Sequence, residues 1–176
     1  MKKDRRIKNI LASLYEMSQL VKRNGQAAES DLEKVRILMH RAFDFQLFSI
    51  FQFDYLENKL MPVFLYGDPY NLVDAVNFRL GKGATGWGVA HKKSILLKDL
   101  NRNITSNPHC VNSFLTVPII INDQIVGTAV MGSLNRGEYN EGDLFLLEMI
   151  TPYLSSLLLK DYFKTEKHMQ QLNQKE

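Results

Sequence analysis

Residues 79–90 read Arg79-Leu80-Gly81-Lys82-Gly83-Ala84-Thr85-Gly86-Trp87-Gly88-Val89-Ala90, and the reading of these glycines decides the fold. Gly81, Gly83 and Gly86 satisfy the G-x-G-x-x-G spacing associated with dinucleotide binding. That use requires a strand before the motif, a full helix after it, and an acidic residue about twenty positions on for a ribose. A strand over 76–80 and Asp99 meet the first and last conditions. The helix fails, because only about two turns fit before the apolar run 94–98, and a crossover to a parallel strand needs a dozen or more residues. Another use of the glycines has to be found.

The chain has 176 residues, enough for one domain or one domain with helical extensions. An apolar fraction of 45% supports a core and excludes general disorder. No run of apolar residues is long enough to span a bilayer. Lys8, Asn9, Glu16 and Gln19 make the segment 7–21 too polar for a signal-peptide core, so the chain is expected in the cytoplasm. Cys110 is the only cysteine, which excludes an internal disulfide and a cysteine-built zinc site and suits a reducing compartment. The net charge of +3 is uneven: residues 1–24 carry +5 and the remainder −2. Such a basic tip can touch an acidic partner, but it reads more simply as a solvated helix start. No aromatic–basic surface pattern accompanies it, so neither nucleic acid nor membrane is expected as a partner.

Ile7, Ile10, Leu14, Met17 and Val21 recur at alternating steps of three and four, the seam of an amphipathic helix, with Leu11 and Leu20 widening it. Gly25 is placed to end that helix. Ser30 with Glu33 forms a capping box for a second helix whose apolar face is Leu32, Val35, Leu38, Met39 and Ala42. The period then changes. Residues 46–54 read as an aromatic-rich strand, 55–58 as a turn and 59–66 as the returning partner. Short strands are expected near 76–80 and 94–98, then a polar loop over 101–112 of the length typical of binding loops and lids. Strands at 113–121 and 125–134 flank a short hairpin at 122–124, and Pro118 belongs at an edge or a bulge because it cannot donate to a ladder. A long helix over 142–172 follows, with Leu144, Leu147, Ile150, Leu154, Leu157 and Leu158 on its apolar face and Pro152 as a bend. The order predicts an α+β layer fold. Terminal helices cover one face of a mostly antiparallel sheet of five or six strands, and a short helix and a lid loop cover the other. A small-molecule cavity belongs on that second face.

Three segments in this order resemble a GAF domain: Phe78 through Ala90 with the following run 95–99, the run 113–118 with the hairpin into 125–131, and Asn135 through Tyr139 with 143–147. The similarity covers roughly 31–159. It implies an N-terminal amphipathic dimerisation helix (1–25), a GAF domain (26–160) and a polar C-terminal helix extension (161–176). It further implies a cytoplasmic sensory module, commonly a homodimer, with a small ligand between sheet and lid and a possible output domain or partner protein. The ligand is left unnamed by the fold. Under this resemblance the glycines serve geometry, Gly81 and Gly83 as a tight turn and Gly86 and Gly88 as a close approach of the short helix to the sheet. Cyclic-nucleotide-binding members are similar near Asn135 and Asp143, but this chain has Arg136, Tyr139 and Leu144 where their motif carries Lys, Phe and Glu. Bilin-binding members attach pigment through a cysteine followed by histidine, and His109-Cys110 is the reverse order, so no covalent bilin is expected. The free methionine sulfoxide reductases are the enzyme alternative. Their cycle resolves an oxidised cysteine with a second thiol, which Cys110 lacks within the chain. A ligand-free dimerisation scaffold is a further alternative.

His109 and Cys110 are adjacent in the lid, where neighbours on an extended loop point apart and make a poor nucleophile–base pair. His40 is expected at the core boundary and His91 at the end of the short helix, and the histidine spacing predicts no metal. Phe51, Phe53, Phe64, Phe78, Trp87 and Phe114 are the aromatics expected to converge on the lid side. The expected ligand contacts are Trp87, Phe53, Phe78, Asn107, His109, Cys110, Phe114 and Thr116, with no catalytic residue assigned.

Overall fold

The computed structural model describes residues 2–22, 29–67, 80–99 and 111–173. Two helices come first, α1 (Lys2–Lys22) and α2 (Glu29–Ala42), followed by strands β1 (Leu47–Asp54) and β2 (Lys59–Tyr66). The two-turn helix α3 (Gly83–Ala90) precedes β3 (Ile95–Leu97), β4 (Ser113–Ile121) and β5 (Gln124–Ser133), and α4 (Glu141–Asn173) closes the order. The strands make one five-stranded sheet in the order β2-β1-β5-β4-β3, with every neighbouring pair antiparallel. The fold is therefore α+β with an antiparallel sheet, as the sequence predicts. β2 and β3 lie at opposite edges of the sheet and β3 pairs with β4 antiparallel, so α3 does not lead into an adjacent parallel strand as a dinucleotide-binding unit requires, and the spacing is a coincidence of glycines. Of the strand expected over 76–80, only Leu80 lies among the described residues, and it sits in a turn.

Local chemistry sets the turns. The Asp54 carboxylate accepts the Leu56 and Glu57 amides at 2.9 and 3.1 Å, which starts the β1–β2 hairpin. Asn122 and Asp123 both adopt positive φ, the paired left-handed conformation of a type I′ turn, and join β4 to β5. Pro118 fits its strand because β3 pairs only with Phe114, Leu115 and Thr116. From Val117 onward that side of β4 has no partner strand among the described residues. In α4, Pro152 lacks the N–H that would bond the Glu148 carbonyl, and the Thr151 hydroxyl donates to that carbonyl instead at 2.8 Å.

Two apolar layers sandwich the sheet. On the helix side, Met17 of α1, Leu38 and Met39 of α2, Phe48 and Ile50 of β1, and Leu147 and Ile150 of α4 are buried together. On the opposite side, Leu47, Phe51, Phe53, Leu60, Val130 and Val89 of α3 form a second cluster. β1 feeds both clusters, so its sequence Leu47-Phe48-Ser49-Ile50-Phe51 is almost continuously apolar, as burial on two faces demands. The seam of α1 is used inside the chain. Met17 is buried, Ile10, Leu14 and Leu20 pack against the helix-side core, and the Ser13 hydroxyl donates to the Leu38 carbonyl at 3.1 Å. Among the described side chains of α1, the large apolar ones left in solvent are Leu11 and Tyr15, at 61% and 66% exposure, while Ile7 and Val21 of the seam lie outside the described side chains.

Candidate functional site

The face of the sheet opposite α1, α2 and α4 is the candidate site, and α3 sets one of its boundaries. Gly81 and Gly83 adopt φ of +77° and +64°, and the Gly81 amide donates to the Gly86 carbonyl at 2.8 Å, closing the turn into the helix. Gly88 lies so close to the strand entry that an added Cβ would stand 2.7 Å from the Lys93 carbonyl oxygen. The short helix therefore presses its Thr85, Gly86, Gly88 and Val89 side inward, where all four are buried. Lys92, which also has positive φ, extends its ammonium to the Asp123 carboxylate and carbonyl at 2.6 Å and ties this corner to the β4–β5 turn.

Phe53 is buried in the cluster beneath α3, and Phe114 packs against that cluster from β4. Thr116 is buried on the same face and its hydroxyl meets that of Thr128 at 3.0 Å. The Thr128 hydroxyl donates to the Val117 carbonyl, so in the Thr116–Thr128 pair the proton comes from Thr116. These three expected contacts thus share one surface. Trp87 is elsewhere: it stands on the side of α3 turned away from the sheet, 43% exposed, with its ring stacked on His91 at 4.2 Å. Phe64 faces the helix side beside Phe48, not the lid side, because β2 holds one extra residue at the register shift opposite Ile50 and Phe51. Phe78, Asn107, His109 and Cys110 lie outside the described residues.

Sequence reasoning passed over Ser49, whose buried hydroxyl lies on β1 within this face, and Thr128. The signal was available, since both are polar residues in otherwise apolar strands. Among the described residues no three His, Cys, Asp or Glu side chains come together as a metal set. No described helix is long and apolar enough to cross a membrane.

The residues that resemble the cyclic-nucleotide motif form a structural joint ahead of α4. Asn135 Nδ2 donates to Glu138 at 3.0 Å, and the Tyr139 hydroxyl donates to the Asp44 carbonyl at 3.0 Å. Burial pushes the Tyr139 phenol far above its ordinary pKa, so this donor stays protonated. Asn140 Oδ1 accepts the Gly142 amide at 2.8 Å, and Asp143 Oδ2 accepts the Asn140 amide at 3.0 Å, a reciprocal cap on α4. Arg136 approaches Asp99 at 3.5 Å, and the Gly137 amide donates to the Lys98 carbonyl at 2.7 Å. An open, polar cleft of about 340 Å³ lies beside the joint, lined by His40, Arg41, Asp44, Glu138 and Asn140 among others.

Comparison with known proteins agrees with this architecture. A GAF domain family model matches residues 36–158. The GAF domain of a phosphoenolpyruvate-protein phosphotransferase from Coxiella burnetii superposes with a TM-score of 0.70 at 20% identity, over 92% of this chain and 98% of that one. The corresponding domain from Acinetobacter gives 0.69 at 17% identity over 86% and 93%. A free methionine-R-sulfoxide reductase from Neisseria meningitidis, in complex with its substrate, gives 0.67 at 15% identity over 84% and 86%. The curated proteins contain no match. With a family model over more than two thirds of its length, an antiparallel sheet sandwiched between long helices and a short glycine-built one, and these structural relatives, the chain belongs to the GAF domain family.

Proposed function

We propose that the chain is a non-catalytic regulatory module that holds a small ligand on the sheet face opposite its long helices and passes occupancy to a partner through α1 and α4 of a homodimer. The asymmetry of the sandwich carries this reading. Among the described residues one face is packed by three helices, whereas the other is met by the eight-residue α3, and buried hydroxyls stand among its aromatics. An apolar surface with a few polar groups is the usual chemistry of a small-molecule site. A sulfoxide reductase with a similar fold was solved in complex with its substrate, and this supports the reading of a small-molecule site. Leu11 and Tyr15 on α1, with Phe145 and Met149 on α4, are exposed apolar side chains suited to a dimer contact. One cysteine in the chain matches a reducing compartment, and we place the protein in the cytoplasm.

The enzyme reading is a reductase of free methionine sulfoxide. Against it stands the lone Cys110, which has no second thiol in the chain to resolve an oxidised sulfur. Turnover of free methionine sulfoxide with a dithiol reductant is expected to be nil in the wild type. Activity that disappears in Cys110→Ser would replace the regulatory reading with the catalytic one. Native mass spectrometry of freshly purified protein, before and after denaturation, tests the ligand: a retained small molecule supports the module, and its absence favours a dimerising scaffold.

A further inference from the structure

The Ser49 hydroxyl is the single buried side-chain polar atom without a hydrogen-bond partner among the described residues, and Ser49 is fully buried. Strand register places it. Ser49 is paired with Leu65 of β2 on one side and Val130 of β5 on the other. Val130 is paired with Thr116 of β4, and Thr116 with Ile95 of β3. Leu65, Ser49, Val130, Thr116 and Ile95 therefore form a row across the whole sheet. The row lies on the face away from the three long helices, since Val130 belongs to the cluster beneath α3. Val89 of α3 packs into that cluster, and Val111 packs over Gly132 in the adjacent row. Ser49 thus sits inside the face proposed above as the ligand site, with both its donor and its acceptors unused.

The surroundings restrict what can meet that hydroxyl. On this face β1 presents Leu47, Ser49, Phe51 and Phe53, and β4 and β5 present Phe114, Thr116, Thr128 and Val130, with no charged side chain among them. An ion laid on such a floor loses its hydration with no counter-charge from the sheet in return. Thr116 spends its proton on Thr128 and keeps only acceptor capacity. A buried hydroxyl left unmated is disfavoured, and a partner that completes it is favoured by the same measure.

We propose that Ser49 is the polar anchor of the ligand, and that the part of the ligand lying on the sheet is an uncharged aromatic or aliphatic body with one hydrogen-bonding group, such as an amide, carbonyl or hydroxyl, directed at Ser49. This rests on the reading of the face as a ligand site. Benzamide and benzoate, equal in ring and different in charge, serve as probes in thermal-shift titrations of the wild type, Ser49→Ala and Ser49→Val. Benzamide raises the wild-type Tm and benzoate does not, and the Ser49 variants bind benzamide about tenfold more weakly, the loss of one hydrogen bond. A benzoate response equal to that of benzamide overturns the uncharged class. An equal benzamide response in all three proteins overturns the anchor, and in both of these cases the site itself stands. Where neither probe binds, native mass spectrometry of the three proteins as purified decides. A retained molecule lost in Ser49→Val supports the anchor, and one kept equally refutes it. No retained molecule in the wild type removes the site and the anchor together.

Discussion

At the scale of single residues, two positions combine a readable sequence signal with a conformational demand. Gly88 is one of four glycines in a short run, and its role follows from the 2.7 Å that would separate an added Cβ from the Lys93 carbonyl oxygen. Gly88→Ala is expected to destabilise the fold by about 1–3 kcal/mol, through displacement of α3 from the strand entry. In urea unfolding this is a lower midpoint at unchanged slope. His40 stacks on Phe45 at 3.8 Å and meets Tyr66 edge-on, with Arg36 over the Tyr66 ring. Burial, then the charge of Arg36, lowers its pKa, with Asp44 and Glu33 opposing. A base with a depressed folded-state pKa takes up its proton more readily when unfolded, so stability falls as pH drops from about 7 to 5. Unfolding midpoints across that range should decline less in His40→Gln than in the wild type, and equal declines would assign the pH dependence to other groups.

At the scale of elements, the connection from β5 into α4 is held by a set of side-chain and backbone hydrogen bonds. The Asn112 amide and side chain donate to Ser133 and Leu134, and Gln46 Oε1 accepts from Ser133 and Leu134. The segment leading into α4 is thereby fixed to the starts of β1 and β4, while Tyr139 ties it to the α2–β1 connection. Asn140→Ala and Asp143→Ala should each cost about 0.5–2 kcal/mol, the range for helix caps. Because the two side chains cap each other's amides, the double variant should cost less than the sum of the singles. Additive losses in chemical denaturation would mean that the box does not act as a unit. The motif is legible in the sequence, but its task is not: Arg136 and Tyr139 differ from the nucleotide-binding pattern, and only the fold brings Tyr139 to the Asp44 carbonyl.

At the scale of the molecule, the heptad-like seam of α1 has changed its meaning. Ile10, Leu14 and Met17 face the core of their own chain, which leaves Leu11 and Tyr15 as the dimer-contact candidates on that helix. Leu11→Lys with Tyr15→Lys should convert the proposed dimer to a monomer in light scattering and leave the unfolding midpoint of the monomer nearly unchanged. Met17→Ala should instead cost about 2–5 kcal/mol of stability. A double lysine variant that stays dimeric would move the contact off this face of α1.

The five described strands, their hairpins, the two-turn limit on α3 and the amphipathic terminal helices were written in the sequence, because period, turn residues and glycine spacing are local properties of the chain. The family resemblance rested on the same local segments. Tertiary structure decided which face each side chain takes. The register of β1 against β5 places Ser49, Phe51 and Phe53 away from the helices, and the extra residue in β2 turns Phe64 toward them. The close seat of Gly88 turns Val89 inward and leaves Trp87 outside against His91. A shift of one residue in a strand inverts every face assignment, and composition and spacing carry no record of that register. The sequence therefore determined the layers of this protein, and packing alone determined which residues look into the space between them.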